Sequence, residues 1–146
     1  MQRHIVSLTL LLFATIISGC GSGATPTPTV APVVEDQAGF VAGLQAAGAT
    51  VEVGDSVVQD FFTPEGQIVK VNGQDVQVFE YESAEAMEAE ASQVAPDGGS
   101  VGTAIMMWMD TPHFYKTGRI LVLYVGSDTT VLSLLDKVLG SQFAGR

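Results

Sequence analysis

The sequence predicts an α+β domain: an antiparallel sheet of five to six strands with helices packed on it. Two observations lead there. Residues 67–81 and 113–125 are runs rich in β-branched and aromatic residues, interrupted at Asn72-Gly73 and at Thr117-Gly118. A short glycine-containing turn between such runs marks a hairpin, and Asn-Gly specifies the type I′ turn. Each hairpin is then followed by apolar residues recurring every three to four positions behind Ser83 or Asp128. That is the pattern of a capped helix with one buried stripe. Hairpins alternating with helices give a sheet with the helices laid on one face.

The elements follow in order. Asp36 is placed to cap a first helix carrying Phe40, Val41, Leu44 and Ala47, with Gly48 as its stop. "TVEV" and "SVVQDFF" read as two strands about a turn at Gly54-Asp55. The Asn72-Gly73 hairpin comes next, then a helix from Ser83 with Ala84, Met87, Ala91 and Val94 on one side. Pro96-Asp97-Gly98-Gly99 ends it. "TAIMMWM" reads as a strand, central because it is apolar on both faces. The second hairpin and a last helix with Val131, Leu134, Leu135 and Val138 complete the domain, and Gly140 terminates it. Strand, hairpin and helix over 57–94 match strand, hairpin and helix over 103–139 at an offset near 45. Gly73 then falls on Gly118, Val76 on Leu121, Phe79 on Tyr124 and Ser83 on Asp128. This correspondence suggests an internal repeat.

Strand pairing follows from the turns. A two-residue turn at 72–73 pairs Lys70 with Asp75 and Val69 with Val76, so Val69, Val71, Val76 and Val78 share a face. Phe114, Leu121 and Leu123 are assigned to that face. The other face then holds Lys70, Gln77, Phe79, Tyr81, His113, Tyr115, Ile120, Val122 and Tyr124. Such an aromatic yet partly polar surface is either covered, by residues 36–47 or by a second copy of the chain, or it binds something. Phe79, Tyr81, His113, Tyr115 and Tyr124 are the candidate binding residues.

The N-terminus carries different information. Arg3 precedes a mainly apolar stretch from Ile5 to Ile17, then small residues and Cys20. This is a secretory signal, too short for a membrane span. Its end, Ile17-Ser18-Gly19-Cys20, resembles the lipobox of bacterial lipoproteins. The resemblance implies cleavage after residue 19 and a diacylglyceryl thioether on Cys20, and two acyl chains hold a protein stably on a bilayer. Residues 20–34 form the lipidated cysteine and a Pro/Thr-rich tether, and 35–146 a single globular domain. Cys20 is the only cysteine, so no disulfide supports the fold. "FVAGLQAAGATVE", "VNGQDVQVFEYES" and "TPHFYKTGRILVLYVG" make the domain similar to small bacterial lipoproteins of unassigned activity.

Beyond residue 19, sixteen Asp and Glu face only Lys70, Lys116, Arg119, Lys137 and Arg146. No basic stripe exists to follow a phosphate backbone, which excludes nucleic acid as a partner. The densest chemistry lies in "MMWMDTPHFY". A loop at Asp110-Thr111-Pro112 would set Met109 opposite His113 with Met107 on the same side, and thioethers with imidazole suit Cu(I). Methionines also simply fill cores. Asp110 and His113 lack the partners of a catalytic dyad, and Glu85, Glu88 and Glu90 read as a solvated helix face. The resulting expectation is a non-enzymatic interaction or ligand-binding module without a cofactor. It is held outside the cytoplasm on a bacterial membrane through Cys20, with a protein or small molecule as partner. A copper-binding or chaperone protein of the cell envelope is the alternative.

Overall fold

The computed structural model describes residues 33–146. The signal segment, Cys20 and the tether through residue 32 lie outside the described residues. The elements are α1 (Gln37–Ala46), β1 (Val51–Val57), β2 (Gly66–Val71), β3 (Gln74–Glu80), α2 (Ala84–Ala91), β4 (Ser100–Val101), β5 (Ala104–Ile105), β6 (Pro112–Thr117), β7 (Ile120–Val125), α3 (Thr129–Leu139) and β8 (Ala144–Gly145). Six strands form one antiparallel sheet in the order β1-β2-β3-β7-β6-β8, and β4-β5 is a separate small hairpin. The α+β fold is the one the sequence predicts.

The helix boundaries are set by the caps. Asp36 accepts from the Gly39 amide at 2.8 Å, Ser83 from Ala86 at 3.2 Å and Asp128 from Thr130 at 2.8 Å. Each satisfies an amide that has no partner within the helix. The Asn72-Gly73 turn has positive φ at both residues, 52° and 85°, as a type I′ turn requires. Its register matches the expected one, with Lys70 on Asp75 and Val69 on Val76. The second turn sits one residue later than expected, at Gly118-Arg119, because Thr117 pairs with Ile120. The faces survive this shift, since moving a two-residue turn by one position preserves which side each residue takes.

The joining of the two hairpins differs from expectation. β3 and β7 pair Val76 with Tyr124, Val78 with Val122 and Phe79 with Leu121. Val69, Val71, Val76 and Val78 therefore share their face with Tyr115, Ile120, Val122 and Tyr124, under Phe40 and Leu44 of α1 and Val131 and Leu135 of α3. Phe79 and Tyr81 share the opposite face with Phe114, Leu121 and Leu123, under Met87 and Ala91 of α2. The helices thus cover both faces instead of one. α2 and α3 lie on opposite sides of the sheet. Viewed from its own helix with its second strand upward, each hairpin has its first strand on the opposite hand. No rotation superposes two such units, so the offset of 45 relates two similar chain orders and not two repeats.

Three further segments differ from expectation. β1 is one strand, and Gly54-Asp55 is a bulge within it, between the Val53–Val69 and Ser56–Gln67 pairs. The bulge and the exposed Glu52 and Asp55 blunt a free sheet edge. Phe61 and Phe62 leave the strand to fold over the α2 face, where Phe62 meets Phe79 at 4.8 Å. Residues 106–111 form no strand.

The domain begins before residue 35. Val34 is buried in the α1–α3 core, and its carbonyl accepts from the Thr117 hydroxyl at 3.1 Å. The Glu35 carbonyl accepts from the Arg119 amide at 2.9 Å. The incoming chain is thereby clasped to the β6–β7 turn. Gly118, at φ 50°, leaves no room for a Cβ against the Glu35 backbone, whereas a Cβ on Gly73 would meet nothing within 4 Å. Gly118→Ala is expected to cost at least about 2 kcal/mol from backbone strain and overlap together. Gly73→Ala should cost about 1 kcal/mol, from its backbone conformation alone. Urea unfolding of the two variants measures the difference.

Candidate functional site

The five aromatic and imidazole residues expected to form one binding face do not form one. Phe79 and Tyr81 are buried beneath α2, and His113, Tyr115 and Tyr124 are buried beneath α1 and α3. The cause is the β3–β7 register, which places the second hairpin with the opposite side toward each helix layer. Each polar tip is satisfied internally. The Tyr81 hydroxyl donates to Glu90 at 2.8 Å, and the Tyr124 hydroxyl accepts from the Asp128 amide at 3.2 Å. Glu90 also takes the amide and hydroxyl of Thr63, so this α2 carboxylate pins a loop and is not merely solvated. Burial foremost, reinforced by Glu90, raises the Tyr81 phenol well above its usual range. Burial and then Asp136 do the same for Tyr115.

His113 stacks on Tyr124, with ring centroids 6.0 Å apart and planes at 21°. Its Nε2 lies 3.1 Å from the Gly126 carbonyl oxygen and its Nδ1 2.6 Å from the Gln142 side chain. Because a carbonyl only accepts, Nε2 carries hydrogen and has no lone pair free for a metal. Met107 and Met109 point into solvent beyond a segment that packs on the α2 side. The grouping of Met107, Met109 and His113 is therefore not assembled. The expected loop at Asp110-Thr111-Pro112 is absent because Pro112 already pairs with Val125 as the first residue of β6. No cluster of three His, Cys, Asp or Glu able to hold a metal occurs among the described residues.

What the structure exposes is the stretch before β6. Ile105, Met107 and Met109 are 85%, 96% and 99% exposed, while the alternate residues Ala104, Met106 and Trp108 turn inward. This period of two is that of an extended chain. Trp108 anchors it. Its Nε1 donates to the Gly98 carbonyl at 2.7 Å, and its ring packs edge-on against Phe114 at 5.9 Å and Phe61 at 6.1 Å. Beneath lies an open groove lined by Asp97, Met106, Trp108, Asp110, Pro112 and Arg146. A second cleft, between β6 and α3, reaches the edges of His113 and Tyr115 beside Asp136, Gln142 and Arg146.

Sequence reasoning grouped Met107 and Met109 with His113, which the structure keeps apart, and passed over Ile105. The signal was present in Val101-Gly102-Thr103-Ala104, a short hairpin that uses up the strand-forming residues before Met106. Among the described residues no helix is long and apolar enough to cross a membrane. No protein-family model, curated protein or solved structure matches the chain.

A pH dependence follows from the two phenols. Both are raised in the folded state, so the folded chain holds those protons more tightly than the unfolded one. Their contribution to stability is complete below the ordinary tyrosine value of about 10 and is lost as pH rises beyond it. Absorbance titration should find Tyr81 and Tyr115 still protonated at about pH 11 for as long as the fold persists. The Tyr81→Phe, Tyr115→Phe double variant should show a shallower loss of stability above about pH 10.

Proposed function

We propose that the chain is a membrane-anchored, extracytoplasmic lipoprotein whose domain is a non-enzymatic binding module. Its working surface is the row Ile105, Met107, Met109. The observation carrying this reading is that three large apolar side chains stand almost fully exposed in a row, on a segment fastened from below by Trp108. Scattered exposed apolar residues are ordinary, but an aligned and rigidly held row marks a contact surface. Methionine suits it, because the unbranched, polarisable thioether adapts to a partner's shape.

The N-terminal segment supports the anchoring half of the reading, with the lipobox-like Ile17-Ser18-Gly19-Cys20 followed by a proline-rich stretch. That stretch joins the domain at the β6–β7 turn, where Val34 and Glu35 are clasped. The methionine row precedes the other end of β6. A six-residue strand separates the two by roughly 17–20 Å. The anchor thus enters at one end of the sheet and the exposed row lies at the other, which suits a surface presented away from the bilayer.

Two results test this. Cys20→Ser should move the protein from the membrane fraction to the soluble one, and a variant that still sediments with membranes contradicts the anchor. The Ile105→Ser, Met107→Ser, Met109→Ser variant should keep its unfolding free energy within about 0.5 kcal/mol per site, since surface changes remove little packing. It should also lose the crosslinks that the unaltered chain makes in intact cells. Unchanged crosslinks contradict the proposed surface.

A further inference from the structure

We infer that the free edge of β5, continued by the extended chain through Met107, receives an extended segment of a partner protein by main-chain pairing; this rests on the proposed binding surface and specifies how it binds. The β4–β5 hairpin fixes which way the backbone groups point. Ala104 pairs with Val101, and the Met106 amide donates to the Gly99 carbonyl at 3.0 Å. In an extended chain the amide and carbonyl of one residue point to the same side, and those of the next residue to the other. Ala104 and Met106 therefore direct their main chain toward β4. Ile105 and the next alternate residue, Met107, direct theirs the opposite way, and the chain then bends at Met109-Asp110. Among the described residues, no main-chain partner serves Met107 or Met109. Exposure of 96% and 99% for the whole residues leaves their backbone as open as their side chains. Ile105 and Met107 thus combine outward apolar side chains with main-chain groups that face away from β4. Other proteins bind peptides at such an edge, where main-chain bonds supply affinity and the alternate side chains supply selectivity.

Charge identifies the partner's chemistry. Lys70 is paired with Asp75, Lys116 with Glu88, Arg119 with Glu80 and Arg146 with Asp97, so ion pairs occupy four of the five basic side chains beyond residue 19. The large excess of carboxylates is left without basic partners of its own; in the groove beneath the row Arg146 offsets Asp97, and Asp110 is the carboxylate without an ion pair among the described residues. A basic segment alternating with apolar residues complements this surface, whereas an anionic bilayer is repelled by it.

The test uses the domain with its tether and a short synthetic peptide alternating valine with lysine and threonine. Saturable binding is expected, with slowed exchange of the Ile105 and Met107 amides and unchanged exchange at Met106. Replacing the lysines by glutamate should weaken it about tenfold or more. N-methylating alternate peptide amides, which removes main-chain donors and keeps every side chain, should abolish it. No saturable binding overturns the inference. Equal binding of the N-methylated peptide, protection on β1 instead, or binding to anionic vesicles in place of the peptide does so too. The Ser variant losing its cellular crosslinks while the Ile105 and Met107 amides of the unaltered chain stay unprotected would overturn strand pairing alone. Crosslinks that survive in the Ser variant would overturn the surface itself.

Discussion

The pairing of β3 with β7 is the constraint on which everything else in this domain depends. Each hairpin is determined locally by its own turn, but the two meet only through Val76–Tyr124, Val78–Val122 and Phe79–Leu121. A slip of one residue along that seam would turn every side chain of one hairpin to the other side. In the observed register two separate apolar layers form. One is closed by α1 and α3, the other by α2 and the Phe61-Phe62 and Trp108 segments. Both layers are complete, and the aromatic residues are consumed in filling them.

Much of the fold was legible because its signals are local. Asp36, Ser83 and Asp128 cap where they should, and Asn72-Gly73 specifies both its turn and the register of β2 on β3. The long connection from β3 to β7 carries no such signal, since nothing in a turn sets the relation between strands that far apart. Assigning Phe114, Leu121 and Leu123 to the face of Val76 turned the second hairpin over, since β3 and β7 pair Val76 with Tyr124. From that one step came the merging of Phe79 and Tyr81 with His113, Tyr115 and Tyr124 into a single face. Reading "TAIMMWM" as a central strand failed for a related reason. Apolar residues on both sides of a run mean burial on both sides only when neighbouring strands exist, and here β6 is flanked by β7 and β8.

The exposed row is consistent with the rest of the domain instead of being a defect in it. Trp108 carries the cohesion of the segment, through the Gly98 carbonyl and two aromatic contacts, so the outward residues are not needed for folding. The other free edge, β1, is handled in the opposite way, with a bulge and two exposed carboxylates discouraging a partner strand. The β1 edge of the large sheet is guarded against pairing, whereas the free side of β5 in the small hairpin carries the exposed Ile105.

The most direct test is to find which residues surround the Phe79 ring in solution. Nuclear Overhauser contacts from a selectively labelled Phe79 should reach Phe62, whose ring centre lies 4.8 Å away, and the cross-strand neighbour Leu121. Contacts to Tyr115 or Tyr124 would contradict this account. They would place the aromatic residues on one shared face, and the methionine row would cease to be the surface left over for binding.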